Sequence, residues 1–215
     1  MIQNGALQLQ AYDHIKKMIL ENGLEPDVLY SETKLSAELN LSRTPVREAL
    51  RRLCQDGYIT VVPSKGFMIR QLTEKDRKES IQVRCAIEGY CTYEIVSQLS
   101  SPRVQEFLLK LGAVLKNMKE AMTADDHFQS FLAYDHEFHL LIVDFAENEE
   151  FSHLFQRLMY LIHLTSVDSL SREGRLAATY QEHAAYFEAL ERQDGQAAYG
   201  ILMDHLRMPL KLGSL

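Results

Sequence analysis

The strongest constraint on this chain is the place where its strand signal stops. β-Branched and aromatic residues cluster as Tyr58-Ile59-Thr60-Val61-Val62 and as Phe67-Met68-Ile69-Arg70, joined by Pro63-Ser64-Lys65-Gly66. That pattern predicts one small hairpin. From Thr73 onward no strand signal recurs, and apolar residues repeat at helical spacing instead. The fold class is therefore mainly α. Ahead of the hairpin, Tyr12, Ile15 and Ile19 form a helical stripe that stops at Gly23, with Pro26 just beyond. A short helix starts at the N-cap Ser31 and carries Leu35 and Leu39. Asn40-Leu41-Ser42 makes a tight turn. A third helix runs from about Thr44 to Gln55 with Val46, Ala49, Leu50 and Leu53 on its apolar side, and Asp56-Gly57 ends it.

After the hairpin the chain reads as about six helices. Thr73 with Asp76 forms a capping box for a helix to about Leu99. Ser101-Pro102 opens the next, striped by Val104, Phe107, Leu108, Leu111, Leu115, Met118 and Met122. A third, about 126–146, carries Phe128, Phe131, Phe138, Ile142 and Phe145. Asn148 opens a fourth with Phe151, Leu154, Phe155, Leu158, Leu161 and Ile162. Two more, about 176–192 and 195–208, flank a turn at Asp194-Gly195. Short connections and wide apolar faces predict an antiparallel helical bundle. A length of 215 residues accommodates two domains, which we place at 1–72 and 73–215.

Composition limits the function classes. No apolar run reaches the ~18 residues of a membrane span, and MIQNGALQLQ has no signal pattern, so a cytoplasmic protein is expected. Cys54, Cys85 and Cys91 have no C-x-x-C spacing, which argues against a disulfide framework or a thiolate zinc site. The net charge is -7. Between Thr33 and Thr73, however, seven basic residues (Lys34, Arg43, Arg47, Arg51, Arg52, Lys65, Arg70) face three acids (Glu38, Glu48, Asp56), a local charge of +4. A basic module beside an acidic one suits local phosphate contact, although an ordinary solvated basic face has the same charge.

The stretch LSRTPVREALRRL points further. Two short helices across a tight turn, the second basic, have the helix-turn-helix layout. Arg43, Thr44 and Arg47 stand near the second helix's N-terminus, where such helices meet base edges. An arginine fork pairs bidentately with guanine O6 and N7. Arg51 extends the face toward phosphates, and Arg52, four after Glu48, reads as a surface pair with it. Lys65-Gly66 at the hairpin tip would form a wing in or along the minor groove. The segment SETKLSAELNLSRTPVREALRRLCQDGYITVVPSKGFMI resembles the winged helix-turn-helix of the GntR family over about sixty residues. The resemblance implies that Arg43 and Arg47 read bases and phosphates and that Lys65 and Gly66 make the wing contact. Thr33, with Lys34 beside it, stands where that family commonly has an arginine.

In the second half, four polar residues lie on apolar faces. Asp135 and His139, at i and i+4 among Phe131, Phe138 and Ile142, point the same way. His183 shares a face with Leu176, Tyr180, Phe187 and Leu190, and His205 shares one with Ala198, Ile201 and Leu202. His14, His127, His136, His153 and His163 fall off the apolar faces. His183 lies ten residues before Gln193 and His205 ten after Gly195, so in an antiparallel hairpin both sit roughly 15 Å from the turn. One carboxylate and three imidazoles then converge from three helices, a donor set for Zn, Ni, Mn, Fe or Co with positions left open. A salt-bridged His-Asp core without metal is the alternative.

The all-helical half resembles the FCD ligand-binding domain of the FadR branch of GntR regulators, and six helices fit its VanR-like subgroup. The resemblance covers nearly the whole chain and implies that Asp135, His139, His183 and His205 are the ligands of a divalent transition metal. It further implies a small organic acid effector against that metal. Arg84 matches a frequent family arginine, with an i,i+4 pair to Glu88 as the alternative. The expected protein is thus a homodimeric, ligand-controlled regulator of an inverted-repeat DNA operator. Competing readings are a direct metal sensor and a metallohydrolase. Against the hydrolase, no H-E-x-x-H helix is present, and Glu137 points away from Asp135 and His139. The short connection from Arg70 to Thr73 would pass helix movement to the wing.

Overall fold

In the computed structural model, which describes residues 2–21 and 23–213, the chain begins with α1 (Ile2–Leu20), followed by α2 (Glu32–Glu38) and α3 (Arg43–Gln55). The hairpin is β1 (Ile59–Val62) and β2 (Gly66–Ile69). Ser31 caps α2 by accepting the Lys34 N–H at 3.5 Å, and Asn40 turns the chain with a φ of 52°. Pro45 sits in the first turn of α3, where backbone N–H groups have no helical partner anyway. Tyr12, Ile15 and Ile19 of α1 are buried, as are Val46, Ala49, Leu50 and Leu53 of α3, and the two helices pack together. The Tyr12 hydroxyl donates to Asp56 Oδ2 at 2.6 Å. The strands pair antiparallel, Ile59 opposite Ile69 and Val62 opposite Gly66.

One connection was not visible in the sequence. Tyr30, just before α2, exchanges two backbone hydrogen bonds with Phe67 of β2 (2.8 and 3.0 Å), and their rings stack at 5.6 Å. This tie explains Gly66. Its φ is +143°, and a Cβ there would lie 2.0 Å from the Tyr30 carbonyl oxygen.

The chain divides into two compact units, Met1–Leu72 and Thr73–Leu215. The second contains, among its described residues, six helices: α4 (Glu74–Val96), α5 (Pro102–Ala121), α6 (His127–Asp144), α7 (Glu149–Leu170), α8 (Arg175–Glu191) and α9 (Gly195–Leu212). The Thr73–Asp76 capping box forms in both directions. Side chains of Ser101, Asn148 and Asp194 cap α5, α7 and α9. α4 packs on α9, α7 and α6, while α5 lies on α6 and α8. Gly195 lets α9 start hard against α4, because a Cβ there would fall 2.1 Å from Val96 Cγ1. Phe131, Phe138 and Phe155 are fully buried in the core, each stabilising the unit by roughly 2–3 kcal/mol of apolar transfer. Leu154, expected on the buried stripe of α7, is instead exposed, as are Val83, Tyr90 and Tyr93 of α4.

Candidate functional site

The bundle brings Asp135, His139, His183 and His205 together. α6 supplies the first pair one turn apart, and the α8–α9 hairpin delivers the other two at one level, as the spacing about Asp194-Gly195 requires. One donor atom from each lies within 4.8 Å of all the others. His205 Nε2 is 3.1 Å from His139 Nε2 and 3.2 Å from His183 Nε2, and Asp135 Oδ1 is 3.7 Å from His183 Nε2. Asp135, His139 and His183 are buried.

Two carboxylates behind the imidazoles fix which nitrogen faces inward. His139 Nδ1 donates to Glu88 Oε2 at 2.6 Å, and His205 Nδ1 donates to Glu182 Oε2 at 2.7 Å. A neutral ring that donates from Nδ1 carries a lone pair on Nε2. On His139 that lone pair points into the cluster, 3.1 Å from His205 Nε2, where a metal ion could accept it. Burial holds His139 and His183 well below the usual histidine range, so both present neutral rings. Burial also pushes the Asp135 carboxyl up, against the pull of His205 and Arg84. Metal–nitrogen bonds of about 2.1 Å at angles near 90–109° place neighbouring nitrogens about 3.0–3.4 Å apart. The residues fit a divalent transition metal, and the carboxylate–histidine pairs behind them are the usual support for one. His183 is oriented differently, stacked on Phe138 at 4.1 Å with its Nδ1 buried and unpartnered.

Beside these residues is a cavity of about 30 Å³, lined by Arg84, Thr165, Ser169, Arg175, Thr179 and Met208 as well as by Asp135, His139 and His205. Arg84 is buried and pairs with Glu88 at 2.7 Å, so the i,i+4 pair is an interior one next to the cluster. Arg175 pairs with Glu182 at 3.0 Å and with Thr179 at 3.0 Å. Arg84 Nη2, Thr165 Oγ1 and Arg175 Nε are buried with no hydrogen-bond partner. Burial pushes Glu88 up against the pull of Arg84. For Glu182 the hydrogen bonds from His205 and Arg175 outweigh burial and hold it below the usual carboxylate range.

Two histidines depart from the sequence reading. His136 and His163, expected off the apolar faces, are half-buried against each other with ring centroids 5.7 Å apart. Burial lowers them to about 3 and about 4. α6 and α7 each pack against more than one neighbour, so their buried arc is wider than one stripe.

In the first unit, Arg43, Thr44, Arg47 and Arg51 lie exposed along α3, and Lys65 is exposed at the hairpin tip beside Gly66. Arg47 engages Glu32 of α2 at 2.8 Å. The pairing expected between Arg52 and Glu48 does not form. Arg51 takes Glu48 at 3.1 Å, while Arg52 turns to Asp56 at 3.8 Å and stacks over the Tyr12 ring. An aromatic platform on α1, invisible from within α3, decides between them.

Comparison with known proteins fits both units. Residues 7–69 match the model of bacterial regulatory proteins of the gntR family, and residues 79–208 match that of the FCD domain. The chain belongs to the GntR family, with an FCD domain. It is 28% identical to the HTH-type transcriptional regulator YdhC of Bacillus subtilis (strain 168), over 92% of this chain and 86% of that one. It is equally 28% identical to the probable D-xylose utilization operon transcriptional repressor of Paenarthrobacter nicotinovorans, over 92% and 84%. A putative GntR regulator from Rhodococcus sp. RHA1 shares the fold at a TM-score of 0.79 and 17% identity, over 95% and 96% of the two chains. This GntR chain is a DNA-binding transcription regulator and not an enzyme, which sets the hydrolase reading aside.

Within the regulator, sequence reasoning named Glu88 only as a pair for Arg84, not as the partner of His139, and missed Glu182, Arg175 and Thr165. Glu88 left a trace, since Ile81, Arg84, Glu88, Cys91 and Ile95 form one buried face of α4 on which two charges are conspicuous. Glu182 left none. It sits 100° around α8 from His183, off the face that the periodicity singles out.

Proposed function

We propose that this GntR regulator changes its operator affinity in response to a small carboxylate metabolite bound beside a divalent transition metal (Zn, Ni, Mn or Fe). The metal ligands are Asp135, His139, His183 and His205. The observation that carries this reading is the set of inward-facing Nε2 atoms at 3.1–3.2 Å beside a cavity with orphaned buried donors. When bound, the metal supplies positive charge for a carboxylate. Glu88 and Glu182 hold two of the imidazoles in register, and Arg84 Nη2, Thr165 Oγ1 and Arg175 Nε offer hydrogen bonds to oxygens of the effector. Both arginines are already charge-matched, by Glu88 and Glu182. A second carboxylate would therefore gain little, and the fitting effector is a monocarboxylate bearing a neutral oxygen.

Residues 1–72 act as the DNA-binding domain and 73–215 as the effector domain. Arg43, Thr44, Arg47 and Arg51 enter the major groove, and Lys65 with Gly66 forms the wing contact. One small winged domain offers few base contacts, so a homodimer on an inverted repeat is the working form. Exposed Val83, Tyr90 and Tyr93 on α4 and Leu154 on α7 support a second copy there. We assign the effector domain, with six helices among its described residues, to the VanR-like subgroup. Among the described residues no helix is long and apolar enough to cross a membrane, and action in the cytoplasm, on its DNA, goes with this role. α4, which carries Arg84 and Glu88, follows the wing after four residues of sequence, and a ligand shifts the regulator only through differential affinity for its two states. Metal sensing alone is distinguished by whether metal without an acid alters operator affinity.

Native mass spectrometry with elemental analysis of the purified protein tests the reading. One divalent metal per chain with a small acid is expected. Absence of metal, with a melting temperature indifferent to chelator and added metal, overturns it.

A further inference from the structure

Arg47 lies on the exposed face of α3, yet its guanidinium is already engaged. Nη2 donates to Glu32 Oε1 at 2.8 Å, and Nε lies 3.2 Å from each oxygen of the same carboxylate. A guanidinium has five N–H bonds. Glu32 occupies the Nε–Nη2 edge and leaves the end-on fork, one hydrogen on each terminal nitrogen, free to point outward. That fork is the geometry that pairs with O6 and N7 of guanine.

Glu32 is itself held in place. It is the first residue of α2, its carbonyl accepts the Ser36 hydroxyl at 2.8 Å, and its side chain is only 26% exposed. Two residues earlier, Tyr30 is bridged to Phe67 of β2. Glu32 thus sits on the junction of α2 and the wing strand and reaches across to α3. Arg51, on the same exposed face, has no such tie, because its partner Glu48 belongs to α3 as well.

We propose that Glu32 is a positioning residue for base reading, which aims Arg47 before DNA arrives. The proposal rests on Arg47 being a base reader, as put forward above. A carboxylate beside the DNA face weakens general attraction to phosphates. Selectivity is the return, since an arginine fixed in advance loses less side-chain freedom on pairing and cannot swing to a nearby phosphate.

The test uses the full-length protein and an operator that the wild type selects from random duplexes. Affinities for operator, single-base operator variants and random duplex are compared for wild type, Glu32→Gln, Glu32→Asp and Arg47→Ala, with folding checked by circular dichroism. Glu32→Gln and Glu32→Asp should each lower the operator-to-random ratio about tenfold. The loss should fall at the base pair to which Arg47→Ala has become indifferent, while random-duplex affinity of Glu32→Gln stays level or rises. Aspartate keeps the charge but is one methylene shorter, so its loss separates reach from charge. The proposal is overturned if Glu32→Asp discriminates like wild type while Glu32→Gln raises both affinities by one factor. It also falls if Arg47→Ala keeps every base preference, and that result identifies the Arg47 reading as the part that failed.

Discussion

Replacing Glu88 separates stability from metal affinity. The residue is 0% exposed and sits between two groups, 2.7 Å from Arg84 Nε and 2.6 Å from His139 Nδ1. Glu88→Leu leaves the Arg84 guanidinium buried and unpaired, and breaking a buried pair from one side costs about 3–5 kcal/mol. The same change removes the acceptor that orients His139, and loss of such a support lowers metal affinity about 10–100-fold. A double variant, Arg84→Met with Glu88→Leu, removes both charges and should regain most of the stability, since apolar replacement of a whole buried pair is near neutral. Its metal affinity should stay low, because His139 still lacks its acceptor. Urea unfolding in chelator reads the first quantity, and competition against a chromophoric chelator reads the second. Wild-type unfolding of Glu88→Leu would refute the buried-charge reasoning. Recovery of metal affinity in the double variant would refute the role given to Glu88 behind His139.

Gly66→Ala should destabilise the first unit by about 2 kcal/mol in urea unfolding and weaken operator binding, because its Cβ would strike the Tyr30 carbonyl at a φ that alanine resists; an unchanged midpoint counts against the Tyr30–Phe67 tie. Thr165→Val keeps the shape but removes an orphaned hydroxyl, so in thermal-shift titration it should bind a hydroxylated monocarboxylate several-fold more weakly with metal content intact. Equal binding by both proteins would remove Thr165 from the effector contacts. Acid sensitivity follows from His163, which burial lowers to about 4. Between there and its ordinary value the unfolded chain holds the extra proton, so stability falls as pH falls through that window. His163→Gln should flatten the fall by up to about 1.4 kcal/mol per pH unit in urea unfolding across the window, and a slope equal to wild type would show that His163 is not buried neutral.

The fold and the four-residue cluster were legible for physical reasons. A heptad-like stripe names the buried face of each helix, and rise per residue converts the distances of His183 and His205 from one turn into a shared level. Thr73, Ser101, Asn148 and Asp194 mark helix starts because their side chains have a local job that sequence alone describes. What escaped depends on neighbours. Glu182 and the His136–His163 pair are half-buried by helices that pack outside the main stripe. Arg52 abandons Glu48 for a ring on α1, and the Tyr30–Phe67 bridge joins residues 37 positions apart with no periodic signal. Leu154 errs the other way, a stripe residue that faces outward on its own chain.

The central claim is that an acid acts through the metal cluster to change DNA binding. Operator affinity should be measured for wild type and Asp135→Ala, each loaded with the metal found on purification and then treated with chelator, with and without the acid recovered with the protein. The account predicts a change of about 5–150-fold on adding the acid to metal-loaded wild type. It predicts little change in the chelated protein, and in Asp135→Ala an intact basal affinity with a lost response. An equal response to the acid in chelated wild type or in Asp135→Ala would contradict it.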